Sequence, residues 1–206
     1  MRRKRALETY LTDNGFSKVR GKDALRLEFA AGFSAEFAPE DDWDEGEVYF
    51  YVFSERFGSI MDRLFAAKPS LAGSYLPRKL VNDSEGCLGM VLLPFERGGG
   101  DLGDTSVTVL GEPLTLRNVV DELPSLDTIE AVYDSFYKGK LGRLVVVIEG
   151  MWVYLYFAQL LGLSAAATLE TLQTRPFVAV GNTWRLRRDL DEDLVNHFSR
   201  AFEASR

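Results

Sequence analysis

The residues best suited by type and spacing to hold an ion are the carboxylates of one acidic loop. Closely spaced carboxylates offset their mutual repulsion by binding a hard cation such as Ca²⁺. An EF-hand spacing fails, because counting from Asp42 puts Gly46 at the fifth place and Phe53 at the twelfth, where a bidentate glutamate belongs. The loop is therefore predicted to be solvated, and the alternative is an acidic edge that docks a partner. Its charged and aromatic residues are Glu40, Asp41, Asp42, Trp43, Asp44, Glu45 and Glu47.

A second group combines an aromatic side chain with basic ones near the end of the sequence. In a strand, alternation puts Trp184 and Leu186 on one face and Arg185 and Arg187 on the other. This pattern is typical of an ordinary half-buried strand. The alternative is a surface that binds a phosphate or an acidic partner segment, and the basic run at residues 2–5 has the same alternative.

A glycine-rich run matches the letters of a dinucleotide-binding fingerprint. Gly98, Gly100 and Gly103 have the required spacing and follow an apolar strand. The fingerprint also needs a helix N-terminus to hold the pyrophosphate, whereas the β-branched residues 107–109 lead into a strand. The run therefore predicts a flexible linker and no nucleotide site.

Single residues give little support for catalysis. His197 is the only histidine, and its spacing from Leu194 and Ala201 puts it at the margin of a helical apolar face, which is typical of a packing residue. Cys87 is the only cysteine, so neither an intramolecular disulfide nor a thiolate zinc site can form within one chain. Glu149 stands among apolar neighbours and becomes a site candidate only if it is buried. The sequence thus predicts no catalytic, metal or cofactor residue, and a non-enzymatic role is preferred.

Composition limits the classes of partner. The 206 residues are 46% hydrophobic and 27% charged, which is typical of a globular protein. A formal charge of −7 repels phosphate backbones and anionic lipids, so no nucleic-acid or membrane partner is predicted. The apolar stretch 144–161 is interrupted by Glu149, and residues 6–13 provide no signal-peptide core. A cytoplasmic location is therefore expected.

Hydrophobic periodicity predicts the elements that must position these residues. Apolar residues three and four apart predict helices, and strict alternation predicts strands. In the first half, helices are predicted at 3–14 and 56–67 and strands at 25–29, 33–37, 48–53 and 88–95. In the second half, strands are predicted at 106–110, 144–148, 151–157, 177–180 and 183–187, with helices around 129–136, over 158–174 and at the C-terminus. Gly181-Asn182 is predicted to be the turn of the last hairpin.

These elements predict an α+β fold, with antiparallel sheets and helices packed on one face. The order hairpin, helix, hairpin, helix recurs, which suggests two tandem halves. The predicted layout is an N-terminal half at 1–95, a glycine-rich linker at 96–104 and a C-terminal half at 105–206, with packing into a single domain as the alternative.

The element order resembles that of a known family. From Arg3 through the helix containing Ile129 and Phe136, the order α-β-β-β-α-β-β-α resembles the small acidic α+β fold of type III secretion chaperones and their bacterial relatives. The closing hairpin and helix, at 177–202, look like the end of such a unit. The second half departs from the family pattern because it lacks an independent first helix. The resemblance implies a non-enzymatic role, often as a dimer, in which sheet and helix faces grip a partner polypeptide.

The function predicted from these observations is a protein-interaction or chaperone-like binding module. Its partner would be another protein, or a second copy of the chain. The alternative is an enzyme or small-ligand receptor whose site is assembled from distant tyrosine, arginine and carboxylate residues. The candidate partner-binding residues are Trp43, Asp41, Asp42, Asp44, Trp184, Arg185 and Arg187.

Overall fold

The described residues form both helices and antiparallel strands, which confirms the predicted α+β class. The computed structural model describes residues 2–39, 46–69, 86–95, 102–109, 112–138, 150–174, 177–179, 182–184 and 192–205. The helices are α1 (Arg2–Asp13), α2 (Glu55–Ala67), α3 (Leu116–Glu122), α4 (Ile129–Lys138), α5 (Gly150–Leu160), α6 (Ala165–Thr174) and α7 (Glu192–Glu203). The strands are β1 (Ser17–Lys18), β2 (Leu25–Ala30), β3 (Phe33–Pro39), β4 (Glu47–Phe53), β5 (Cys87–Pro94), β6 (Ser106–Val109), β7 (Glu112–Thr115), β8 (Phe177–Ala179) and β9 (Asn182–Trp184).

Five strands form the main sheet in the order β1-β2-β3-β4-β5. The predicted hairpin of β2 and β3 is confirmed, and its antiparallel register places Leu25 opposite Phe37. Backbone hydrogen bonds at the two ends of β4 and β5 show that this pair is antiparallel as well. The Phe95 amide donates to the Gly46 carbonyl at 2.8 Å, and the Ser54 amide donates to the Gly86 carbonyl at 2.9 Å.

The chain divides into two compact units, each built from two segments. The first unit comprises Met1–Val52 and Gly89–Leu144, and the second comprises Phe53–Leu88 and Val145–Arg206. This grouping differs from the predicted sequential halves, because each unit combines segments that are distant in the sequence. The division at the glycine-rich linker, of which residues 102–104 are described, stays a prediction.

The core of the first unit lies between α1 and one face of the sheet. Leu7 and Leu11, four residues apart on α1, are fully buried, as their helical spacing predicts. The ring of Phe16, just after the helix, lies 5.3 Å from that of Phe37 on β3, and Phe37 lies 4.9 Å from Phe50 on β4. These contacts identify the apolar face of the sheet as the one that packs on α1.

Aromatic side chains join three helices of the second unit. On α5, Trp152 contacts Phe65 of α2 and stacks on Phe198 of α7 at 6.2 Å. One turn later, Tyr156 contacts Phe57 of α2 at 5.3 Å and a second phenylalanine of α7. The order of these contacts makes α5 antiparallel to α2. The predicted apolar stripes of α2 and α7 are therefore confirmed as buried faces.

The prediction of a strand at 151–157 is wrong, because these residues belong to α5. Every side chain from Trp152 to Ala158 is buried. A helix that is buried on all sides shows no amphipathic period, so a continuous apolar run fits a buried strand equally well. The proposed hairpin partner at 144–148, and Glu149, lie outside the described residues.

Two further differences concern short hairpins. Strand β7 was not predicted, and it follows β6 closely with Pro113 opposite Thr108. In the last hairpin, Ala179 pairs with Asn182, so Asn182 belongs to strand β9 and not to the turn in which it was predicted. No helix in the described part of the chain is long and apolar enough to cross a membrane.

Candidate functional site

The sheet of the first unit has a second face, opposite the one that packs on α1. Because side chains alternate along a strand, the neighbours of the core residues Phe37 and Phe50 point to this second face. We call it the polar face, and its residues on β2, β3 and β4 include Arg26, Glu28, Ser34, Glu36, Glu47, Tyr49 and Tyr51.

Accessibility varies across the polar face. Ser34, Glu36 and Tyr51 are buried, at 4–6% exposure. Arg26, Glu47 and Tyr49 are half-buried, and Glu28 on β2 is exposed. Strands β2 and β4 are separated by β3, so their side chains on this face lie about 10 Å apart. The most accessible positions of the face are therefore Glu28 on β2 and Arg26, Glu47 and Tyr49, which are each partly accessible.

An ion pair lies at the centre of the polar face. Arg26 stands directly opposite Glu36 in the β2–β3 ladder. Both Nε and Nη2 of Arg26 donate to Oε2 of Glu36, at 3.1 and 2.8 Å. The carboxylate is only 7% exposed and the guanidinium 28%, so the pair is shielded from much of the solvent. Removal of Arg26 would leave an unpaired charge in a nearly dry position, which costs several kcal/mol.

Two tyrosines line the β4 side of the polar face. The ring centroids of Tyr49 and Tyr51 lie 5.7 Å apart with the planes inclined at 39°. Tyr51 is buried, while part of Tyr49 is accessible. Tyrosine presents a large amphipathic surface at a small cost in side-chain entropy, which is why interfaces are enriched in it.

None of the site residues predicted from the sequence is among those assigned to the polar face. Trp43, Asp41, Asp42, Asp44, Arg185 and Arg187 lie outside the described residues. Trp184 ends strand β9, of which only the backbone is described. The residues of the polar face were missed as a site, although the alternation of Arg26 with Glu28 and of Ser34 with Glu36 had placed them on a solvent-facing side. Their pairing depends on strand register, which the alternation does not give.

His197 belongs to a small polar cluster in the second unit. Its Nδ1 lies 2.7 Å from the carbonyl oxygen of Asp193 and 3.2 Å from Oδ1 of the same residue. Both partners can only accept, so Nδ1 carries the proton. Lys68, at the end of α2, donates to Oδ2 of Asp193 at 2.6 Å and lowers the pKa of that carboxyl. Because Lys68 follows α2 and Asp193 lies on α7, the cluster joins these two helices. Among the described residues, no serine, threonine or cysteine forms a hydrogen bond with the imidazole ring, so the cluster has no nucleophile.

A buried pair of hydroxyl groups lies at the start of α2. Ser54 Oγ and Tyr156 Oη are 2.6 Å apart, and both residues are at most 2% exposed. Burial raises the pKa of Tyr156, although the hydrogen bond to Ser54 and the charge of Arg56 act in the opposite direction. The phenol therefore stays neutral, and the buried hydrogen bond joins the start of α2 to α5.

The last glycine of the predicted fingerprint lies in a tight turn that an arginine closes. Gly103, at φ +81°, donates its amide to the Phe95 carbonyl, and its own carbonyl accepts from the amide of Arg117. Nε of Arg117 donates to Asp104 at 2.7 Å, and this ion pair raises the pKa of the guanidinium. The other two glycines lie outside the described residues. The carboxylate of Asp104 would repel a phosphate at this turn. Arg117 is paired with that carboxylate, so its role here is structural.

Neither a metal site nor a similar protein indicates a class of function for this chain. Within the ranges described, no group of three or more histidine, cysteine, aspartate or glutamate side chains is arranged to hold a metal ion. No family model, no curated protein and no solved structure matches the chain.

Proposed function

We propose that this protein is a non-enzymatic module that binds another protein through the polar face. The observation that carries the proposal is a partly accessible tyrosine on β4 that shares one face of the sheet with a paired arginine and glutamate on β2 and β3. Tyrosine and arginine dominate the energetics of protein interfaces. The rigid strands hold these groups in place before binding, which reduces the entropy cost of association.

The resemblance to type III secretion chaperones implies the same kind of role. In such a role the sheet would grip a partner polypeptide, and the acidic loop around Trp43 would extend the contact surface. A cytoplasmic location and binding to a second copy of the chain belong to the same proposal.

Affinity capture from the native cells tests the proposal. The tagged protein is compared with Tyr49→Ala, and Tyr10→Ala serves as the control because Tyr10 is also half-buried but lies on α1. We expect a stoichiometric protein partner with the unaltered chain and with the control. Tyr49→Ala should lose at least about tenfold in affinity, which is typical of truncating an interface aromatic. Tyr49→Phe should retain most of it.

A partner that binds Tyr49→Ala as well as the unaltered chain would contradict the proposal. Thermal unfolding of each variant shows whether the fold is retained. If Tyr49→Ala unfolds, Tyr49→Ser and Tyr49→Lys replace it, since a polar side chain suits a half-buried position.

A further inference from the structure

Strands β6 and β7 form a two-stranded sheet, separate from the main sheet. In their antiparallel register, Val107 stands opposite Leu114 and Thr108 opposite Pro113. Opposite residues in such a ladder alternate between pairs that exchange backbone hydrogen bonds and pairs that do not. Proline has no amide hydrogen, so Thr108 and Pro113 form a pair of the second kind, and Val107 and Leu114 carry the ladder bonds. The amides and carbonyls of Ser106 and Thr108 therefore point away from β7.

The two outer edges of this sheet differ in their capacity to pair with a further strand. The outer edge of β7 contains Pro113, which offers no donor, and the strand ends at Thr115, which caps α3. The outer edge of β6 has a donor and an acceptor at both Ser106 and Thr108, whose side chains are exposed, and no described strand pairs with it. Residues 105–109 include neither a charge nor a proline, the usual protection of a sheet edge.

We infer that β6 pairs antiparallel with β6 of a second copy of this chain and joins the two hairpins into one continuous sheet. This inference rests on the part of the proposed function that names a second copy, and it specifies the surface that the copy uses. A two-fold axis at Val107 would place Ser106 opposite the partner subunit's Thr108, and Thr108 opposite the partner subunit's Ser106. Each of these pairs would exchange two backbone hydrogen bonds, so every outward donor and acceptor of the two residues would be used. The pairing is isologous, so the assembly closes as a dimer.

A second copy fits this edge better than an extended segment of another protein. The strand of a second copy is already held straight by its own hairpin, whereas a flexible segment must be ordered when it binds. Specific recognition of a foreign segment also needs pockets for its alternate side chains, and the exposed side chains here are the small hydroxyls of Ser106 and Thr108. Because β6 carries no charge, two copies of it meet without repulsion between like charges directly opposite each other.

Thr108→Pro tests the pairing most directly. It removes an outward donor of β6 and leaves the ladder bonds of the hairpin intact, as Pro113 does on β7. Thr108→Val is the matched control, because it keeps the amide and the β-branched shape at the same exposed position. Sedimentation equilibrium of the full chain, at protein concentrations up to about 1 mM, measures the dissociation constant of the dimer.

We expect the unaltered chain and Thr108→Val to reach twice the monomer mass as the concentration is raised. Thr108→Pro removes one donor from each copy, so it should raise the dissociation constant at least about tenfold. A chain that stays monomeric throughout would overturn the inference, even if β6 pairs with a segment of another protein. Equal dissociation constants for Thr108→Pro and Thr108→Val would overturn it as well.

Two double variants test the register and keep the inference falsifiable if Thr108→Pro fails to fold. Ser106→Lys combined with Thr108→Lys would put like charges directly opposite each other in the dimer, whereas Ser106→Lys combined with Thr108→Glu would put opposite charges there. The second combination should dimerise about tenfold more tightly than the first. Equal dimerisation of the two would contradict the pairing, and circular dichroism shows whether each variant is folded.

The failures of the two proposals are distinguishable. If Tyr49→Ala loses the captured partner while the unaltered chain stays monomeric, pairing through β6 is excluded and binding through the polar face stands. If Tyr49→Ala keeps the captured partner while Thr108→Pro weakens the dimer, binding through the polar face fails and pairing through β6 stands.

Discussion

Gly86 lies against the first turn of α2 in a conformation that suits only glycine. Its φ is +88°, and a Cβ at this position would lie 2.1 Å from the carbonyl oxygen of Ser54 and 3.1 Å from the amide nitrogen of Gly58. The amide of Gly58 bonds to that same carbonyl, and Ser54 donates its own amide to Gly86. A methyl group here therefore collides with backbone that is fixed by hydrogen bonds on both sides.

We expect Gly86→Ala to destabilise the protein by about 3–5 kcal/mol. The positive φ alone costs about 1–2 kcal/mol for a residue with a Cβ. Moving the backbone to relieve the collision disturbs two hydrogen bonds, each worth about 1 kcal/mol net and more if a donor is left buried. Gly32→Ala is the matched control, because Gly32 also has a positive φ, of +81°, but a Cβ there would meet no atom within 4 Å.

Urea unfolding, monitored by circular dichroism, gives the free energies of unfolding of Gly86→Ala and Gly32→Ala. Gly32→Ala should lower the free energy of unfolding only by the cost of the positive φ. The difference between the two variants therefore measures the cost of the collision, which we expect to be about 2 kcal/mol or more. Equal losses for Gly86→Ala and Gly32→Ala would refute the close approach of this turn to α2.

Two further predictions concern polar contacts of the second unit. Tyr156→Phe should cost about 1–2 kcal/mol, because it leaves the Ser54 hydroxyl buried without its partner, and a double-mutant cycle with Ser54→Ala should show coupling of about 1 kcal/mol. Additive losses would exclude the hydroxyl pair. Asp193→Asn should lower the urea midpoint at pH 6, since Lys68 depresses the folded-state pKa of Asp193 and its stabilising effect is present above the ordinary carboxyl pKa of about 3.9. That effect is lost as the pH falls through the depressed pKa, so the two midpoints should converge at a pH below the ordinary carboxyl pKa, and a constant gap would count against the ion pair.

The parts of the fold that the sequence predicted well are those with one apolar face. Helix α7 has acidic residues in its first turn and buries Leu194, Val195 and Phe198. Strand β3 buries Phe33 and Phe37 on the core side, as alternation requires. In such elements the hydrophobic pattern carries the period of the backbone, so type and approximate bounds follow from the sequence.

Elements without a polar side were predicted poorly for the same physical reason. Helix α5 is apolar around its whole circumference, so no period marked it as helical. The division of the chain was equally hard to foresee, since contacts between distant segments bring 53–88 together with 145–206. Local sequence carries no signal for such a return of the chain.

The contacts of the buried core determine which side chains lie next to each other on the polar face. Alternation alone put Arg26 and Glu36 on the outward side of their strands, but it left their relative position open. Burial of Leu25 opposite Phe37 fixes the register of the hairpin, and that register places Arg26 directly across from Glu36. A slip by one residue would turn the apolar side chains to solvent and separate the ion pair. The residues of the polar face are therefore positioned by the hydrophobic contacts on the other side of the sheet.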